Sequence, residues 1–304
     1  MKPQFENILM SSMILWFDHT LVKKGEAFSN YDSEFYPITN IFNGYYSYGA
    51  PFRNLIRDES ITGANIISGV YLNNTFITTG QSGLVAINAD QGQLYFDADK
   101  SSYTISGNYA VKDYGVYLTN ENEEKILFET KFNLNPKTIE SPTGLPINAQ
   151  TYPAIYLKNN GGNNEPLAFG GLDSTNINVR AIVISDSIFS MDAVTSIFKD
   201  AVRTYIPIIQ PEEMPFNSLN GLKSGYNYDL LTAGRAGSSN SVYIKNVYVS
   251  KNVVNRSQYQ DLNPEAISSF IDFELEVYRY PRAWQKKKLK LRKIGVNTVN
   301  IGEF

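Results

Sequence analysis

The sequence predicts a β-rich α+β fold, in which a β-sandwich or barrel-like sheet is combined with an N-terminal helix and one further helix. Short segments of alternating apolar and polar residues, separated by Gly, Asn and Asp turns, follow one another closely. The 304 residues include 21 tyrosines and 17 phenylalanines, which suit half-buried positions in sheets. Only two segments have the apolar spacing of a helix.

The two helices are predicted at residues 3–24 and 188–203. The first places Trp16 on a wide apolar stripe, so we expect it to be buried against a sheet or a neighbouring subunit. The second has a narrower apolar stripe, and either Ser187 or Ser190 can cap its beginning.

The predicted strands are short and are separated by turn residues. They are expected at residues 65–72, 84–88, 93–96, 103–111, 126–134, 179–184, 242–249 and 271–277. The sequence Asp90-Gln91-Gly92 between the second and third of these strands is a strong hairpin turn signal.

Two long segments, 135–170 and 207–241, are rich in Pro, Gly and Asn and are predicted to be excursions without regular structure. Such long loops are uncommon in compact domains, so we expect them to pack on something, as a lid in an enzyme or on a neighbour in an assembly. The predicted organisation is a helix plus β domain over 1–134, a linker or excursion over 135–170, and an α+β segment with a basic hairpin over 171–304. The last segment can also form one domain with the first.

The end of the chain separates its charges. In 271–277 the apolar residues alternate with acids, whereas 286–292 alternates with bases, and residues 279–304 hold eight bases and one acid although the whole chain has a net charge of −3. The proposed interface residues are Arg279, Arg282, Lys286, Lys288, Leu289, Lys290, Leu291 and Arg292. Three interpretations remain: an antiparallel hairpin whose charged faces pair, a basic arm that docks on another protein, and transient contact with DNA. The apolar face made by Leu289 and Leu291 favours docking on a protein.

Signals for chemistry are weak. The chain has no cysteine, so disulfides and thiolate metal sites are excluded, and its single histidine, His19, excludes a metal site built on histidines. Its neighbour Asp18 makes a general base conceivable, but a structural role is favoured. Asp97, Asp99 and Ser101 begin like a calcium loop but lack the later glycine and acid, so a polar turn is favoured. We therefore predict no catalytic, cofactor-binding or metal-binding residues, and a protein that is not an enzyme.

The N-terminus does not match a signal peptide, and its longest apolar run is too short to span a bilayer. We therefore expect a soluble protein, made in a cytoplasm, with no membrane partner.

One stretch of the chain resembles virion structural proteins of tailed bacteriophages. It contains Ser68-Gly69-Val70-Tyr71-Leu72-Asn73-Asn74-Thr75-Phe76, then Gly80-Gln81-Ser82-Gly83, then Asp90-Gln91-Gly92-Gln93-Leu94-Tyr95-Phe96. The resemblance implies a ring-forming component of the neck or tail, such as a head–tail connector or tail completion protein, whose arms interlock neighbouring copies. Its partners would be further copies of itself and other virion proteins, and its location would be the virion, assembled in the host cytoplasm.

Two other functions remain open at this point. A carbohydrate-binding β-sandwich, as an adhesin or a capsid decoration protein, would use the tyrosine clusters as stacking platforms. A glycan-cleaving enzyme would need two carboxylates in one cleft, and Asp173, Asp186 and Asp192 are candidates.

Overall fold

The computed structural model describes residues 3–129, 151–216, 226–231, 241–251 and 267–280. Within these residues strands predominate, and the predicted β-rich α+β class is confirmed. The strands form three sheets, two of four strands and one of six.

The two four-stranded sheets form a β-sandwich. The first contains, in spatial order, β1 (Phe28–Glu34), β8 (Ile105–Lys112), β4 (Gly69–Leu72) and β5 (Thr75–Thr78). The second contains β2 (Tyr36–Phe42), β3 (Tyr45–Gly49), β7 (Gln93–Phe96) and β6 (Leu84–Asn88). Their shared core includes Phe35, Tyr48, Val70, Leu94, Phe96 and Tyr109. All neighbouring strands are antiparallel, which suits a sheet built from short hairpins.

The six-stranded sheet combines one strand that follows the sandwich with five from the second half of the chain. Its order is β12 (Tyr205–Pro207), β13 (Ser241–Lys251), β14 (Ile267–Arg279), β11 (Leu172–Ser185), β10 (Ala154–Ala168) and β9 (Gly115–Leu118). Only β9 and β10 are parallel, and the other pairs are antiparallel.

Two helices cover one side of this sheet, which we call the inner face. They are α1 (Phe5–Gly25) and α3 (Ile188–Lys199), close to the predicted bounds. Trp16 is buried, and the stacked rings of Phe17 and Phe198 lie 3.5 Å apart between their centroids. The hydroxyl of Ser187 accepts the backbone N–H of Ser190, so Ser187 is the N-cap of α3. No helix in the described part of the chain is long and apolar enough to cross a membrane.

The prediction of a strand at 126–134 is wrong where the structure describes it, because residues Glu123–Glu129 form a helix, α2. Two acids in the first turn favour a helix N-terminus. Ile126 and Leu127 both pack on the opposite, outer face of the six-stranded sheet, beside Ile182 and Phe270. Successive residues of a strand would point to opposite sides, whereas a helix can bury both.

The prediction of an excursion at 135–170 is wrong for 154–168, which form β10. Asn and Gly have low strand propensity, but the backbone of β10 pairs with β11 from Ala154 to Ala168, with register shifts between Asn159 and Gly162 and between Pro166 and Ala168. Within 207–241 the structure describes two short 3-10 turns, Pro211–Glu213 and Tyr228–Leu231. Within these two segments, residues 135–150, 217–225 and 232–240 lie outside the described residues.

Candidate interaction surface

The first strand of the predicted terminal hairpin is confirmed as part of β14, and its second strand, 286–292, lies outside the described residues. The apolar residues of the first strand, Ile271, Phe273, Leu275 and Val277, belong to the main core. One edge of β14 pairs with β11 from Ile267 to Arg279, and the other pairs with β13 from Ser269 to Glu276. Both edges of β14 beside its acids are therefore occupied by described strands. Residues 281–304, with every proposed interface residue except Arg279, lie outside the described residues.

The acids of β14 point to the outer face and bond to neighbouring strands of the same sheet. Arg180 on β11 holds Asp272 through two hydrogen bonds, of 2.6 and 2.9 Å. The amide of Asn246 donates to Glu274 at 2.6 Å, and the hydroxyl of Ser174 donates to Glu276 at 3.1 Å. The sequence predicted the acidic stripe, but it did not identify these bonding partners within the subunit.

Arg180 also connects the sheet to α2. Its guanidinium donates to Glu123 at 2.9 Å and lies 4.6 Å from the ring centre of Phe270. The hydrogen bond to Asp272, together with the charges of both acids, raises the pKa of Arg180 despite partial desolvation. In this upper part of the outer face, around Asp272, both acids are therefore ion-paired with the same cation.

The lower part of the outer face, toward the C-terminal end of β14, differs in how its acids are bonded. Glu276 and Glu274 bond to neutral groups there, and Glu165 on β10 lies opposite Ser174 in the register, so its carboxylate belongs to the same face. None of these three carboxylates forms an ion pair with a described residue. Tyr248 and Tyr278 flank them, each with 54% of its surface exposed. We call these five residues the acidic face.

Arg279, the one proposed interface residue that the structure describes, is engaged within the subunit. Its Nε donates to the hydroxyl of Thr175 at 2.8 Å, and its guanidinium lies 4.2 Å from the ring centre of Phe5. Burial lowers the pKa of Arg279, against the opposing influence of Glu6 and Asp173. The contacts join the end of β14 to the beginning of α1.

Exposed apolar side chains lie at two separate places beyond the ends of β11. The hairpin between β10 and β11 carries Leu167, 55% exposed, and Phe169, fully exposed. At the other end, the first turn of α3 carries Ile188 and Phe189, which are 63% and 84% exposed. Clustered exposed apolar groups of this kind mark interaction sites.

His19 belongs to a buried polar cluster where α1 meets the sandwich. Its Nδ1 is hydrogen-bonded to the carboxylate of Asp58, and both side chains are almost fully buried. Beside them, the Lys112 ammonium donates to both oxygens of Asp18 at 2.7 and 2.8 Å. The hydroxyl of Tyr114 donates to the same carboxylate at 3.0 Å, and burial raises the pKa of Tyr114 well above its usual value.

The cavity at this cluster is too small for a substrate. Its volume is about 10 Å³, room for a single water molecule, and its lining includes His19, Arg57 and Tyr228. Burial raises the pKa of Tyr228, which keeps its hydroxyl neutral. The closed geometry supports the structural role favoured for His19. Its partner Asp58 is 39 positions away, and no local sequence signal links the two.

The loop that begins like a calcium site is a polar turn. Asp99 accepts the backbone N–H of Ser101 and the hydroxyl of Tyr48 on one oxygen, at 2.9 and 2.8 Å, and the Ser101 hydroxyl on the other, at 2.9 Å. The backbone N–H of Ser101 and the two hydroxyls lower the pKa of Asp99. Among the described residues, no group of three or more His, Asp or Glu is arranged to hold a metal ion.

The carboxylates suggested for a glycosidase do not all share one site. Asp173 lies near the start of β11, and Asp186 follows its end. An extended strand of this length separates them by about 40 Å, several times the spacing that glycoside hydrolysis needs. Asp192 lies on α3 and pairs with Lys251 at 2.6 Å. Compared with known families and with curated proteins, the chain matches no family model and no curated sequence.

Proposed function

We propose that this protein is a non-enzymatic structural subunit of a tailed-phage virion, placed in the neck or tail, that assembles as a homo-oligomeric ring. The observation that carries the proposal is the exposed apolar tip, Leu167 and Phe169, at the end of the β10–β11 hairpin. The resemblance in residues 68–96 supplies the phage context. Further copies and other virion proteins are the expected partners.

The hairpin is built as a stiff arm. Twelve residue pairs connect β10 to β11. The arm is anchored where Ile177 and Val179 of β11 pack in the main core. On the other side of β11, β14 continues the pairing as far as Asp173 and Arg279. An arm held in this way can present its tip to a neighbour without a large loss of conformational entropy.

The positions of the two exposed apolar sites favour a ring. The tip precedes β11, whereas Ile188 and Phe189 follow it, so the sites lie at opposite ends of a strand of 14 residues. A contact between the tip of one copy and the α3 site of the next is heterologous, because it joins two different surfaces. Repeated heterologous contacts form a closed ring when the rotation between copies closes.

The test is the oligomeric state of the full-length protein, measured by light scattering during size-exclusion chromatography. We expect the wild type to have the mass of a ring and the double variant Leu167→Ser, Phe169→Ser to be monomeric with unchanged circular dichroism. The matched control is Tyr103→Ser, which removes an aromatic ring that is 45% exposed on the sandwich. A wild type that stays monomeric at every concentration, or a double variant that still forms rings, contradicts the proposal.

Carbohydrate binding by the sandwich is a second candidate function, supported by an exposed aromatic pair. The ring centres of Tyr71 and Phe76 lie 5.1 Å apart, and both side chains are more than one third exposed. They line a cleft of about 300 Å³ together with Asn65, Ser68 and Asn108. Ring faces beside amide groups can hold a pyranose. Binding to a glycan array that is lost in Tyr71→Ala would favour this function. An absence of binding by the wild type would contradict it.

A further inference from the structure

We infer that the acidic face on the outer side of the six-stranded sheet binds the basic segment 286–292 of a second copy of this chain. The inference rests on the proposed homo-oligomer, and it adds the surface that receives the basic segment. The argument depends on the orientation of the acids, on their spacing, and on the occupied edges of β14.

The first step is that the basic segment can approach these acids only from above the sheet. Both edges of β14 are paired over Ser269–Glu276, so no strand can be added beside Glu274 or Glu276. Their side chains nevertheless point to the outer face, where they bond to Asn246 and Ser174. Neutral donors leave the negative charge of each carboxylate in place.

The second step is the match in spacing. Glu274 and Glu276 occupy alternate positions of one strand, so their Cα atoms are roughly 6.8 Å apart. Residues 286–292 carry bases at every second position, and in an extended segment these would repeat at the same interval. Two or more bases of one segment can therefore meet the acids of one face at the same time.

The third step is the composition around the acids. Tyr248 and Tyr278 are 54% exposed on either side of them, and tyrosine is enriched in protein interfaces. Leu289 and Leu291 alternate with the bases and give the segment an apolar side that a protein surface can cover. Exposed ion pairs are individually weak, but contacts repeated around a ring add up.

The experiment reverses charges on the full-length protein and measures the association constant by light scattering over a range of concentrations. One variant is Glu274→Lys, Glu276→Lys, a second is Lys288→Glu, Lys290→Glu, and a third combines all four changes. We expect each double variant to weaken association roughly tenfold and the combined variant to recover most of that loss. High salt should remove the difference between the variants and the wild type.

Two controls separate this contact from general effects of charge and folding. Glu34→Lys, Glu59→Lys reverses two exposed acids on the sandwich side of the molecule and should leave association unchanged. Glu274→Gln, Glu276→Gln keeps hydrogen-bonding groups toward Asn246 and Ser174 and should weaken association less than the lysine variant. Equal losses in the sandwich control would overturn the inference.

A crosslinking measurement identifies the copy that supplies the segment. Isotopically light and heavy protein are mixed, assembled, and treated with a carbodiimide, which joins carboxylates to amines in direct contact. We expect crosslinks from Glu274 or Glu276 to Lys286, Lys288 or Lys290 that join a light chain to a heavy chain. Crosslinks only within one chain, or rings of unchanged affinity in the charge-reversed variants, overturn the inference and leave the proposed ring standing. A monomeric wild type would instead overturn the proposed function.

Discussion

Replacing Trp16 by alanine tests whether α1 is part of the main core. Trp16 is 4% exposed, and its ring meets those of Phe198 and Phe273 edge-on, at centroid distances of 5.5 and 6.4 Å. Removing a buried ring of this size costs about 3–5 kcal/mol, and each favourable aromatic pair contributes about 0.5–1.5 kcal/mol beyond its buried area. We therefore expect a loss in the upper half of the range, a large part of the stability of a typical domain.

The assay is urea unfolding followed by far-ultraviolet circular dichroism, with the change read from the midpoint at constant slope. Trp16→Phe keeps an aromatic ring in the cluster and should lose less than half as much. Tyr103→Ala, at a site 45% exposed, should change the free energy of unfolding by no more than about 0.5 kcal/mol. A loss below about 1 kcal/mol in Trp16→Ala would refute the assignment of α1 to the core.

Two further predictions concern buried polar groups. Lys112→Met leaves the carboxylate of Asp18 without its cation, so the free energy of unfolding in urea should fall by about 3–5 kcal/mol. Adding Asp18→Asn should recover part of that loss, and equal losses in the single and double variants would contradict the ion pair. Burial and the hydrogen bond to Asp99 raise the pKa of Tyr48 to about 12, so its stabilising contribution is complete below pH 10 and is lost as the pH rises to 12. In Tyr48→Phe the decline in the free energy of unfolding across this range should be smaller, and an unchanged decline would show that Tyr48 does not cause it.

The elements that sequence reasoning placed well have strong local signals. The helix α3 begins at its serine cap, and the hairpin of β6 and β7 was predicted at its observed bounds because Asp90-Gln91-Gly92 supplies the turn. The alternation in β14 likewise identified its buried and exposed sides. In each case the deciding interactions lie within a few residues of one another.

The features that sequence reasoning missed depend on distant partners. Alternation assigns Asp272 to a face but does not identify Arg180, which is 92 positions away. The same holds for the burial of His19 against Asp58. The strand β10 was missed because its Asn and Gly residues have low strand propensity, and the pairing that makes it a strand is with the strands β11 and β9. Such pairings depend on tertiary contacts between distant segments, which local composition does not encode.

The central position of β14 sets the order in which this protein can fold during its synthesis. The strands of the sandwich all lie within residues 28–112, so that unit is complete early. The six-stranded sheet cannot be completed before β14 is synthesised, because β14 follows both of its neighbours in the chain and lies between them. Until then the apolar faces of α1 and β11 lack the side chain of Phe273, and such exposed surfaces are prone to aggregation. A nascent chain that stops before Ile267 would therefore carry a folded sandwich beside an open sheet and become a target for chaperones.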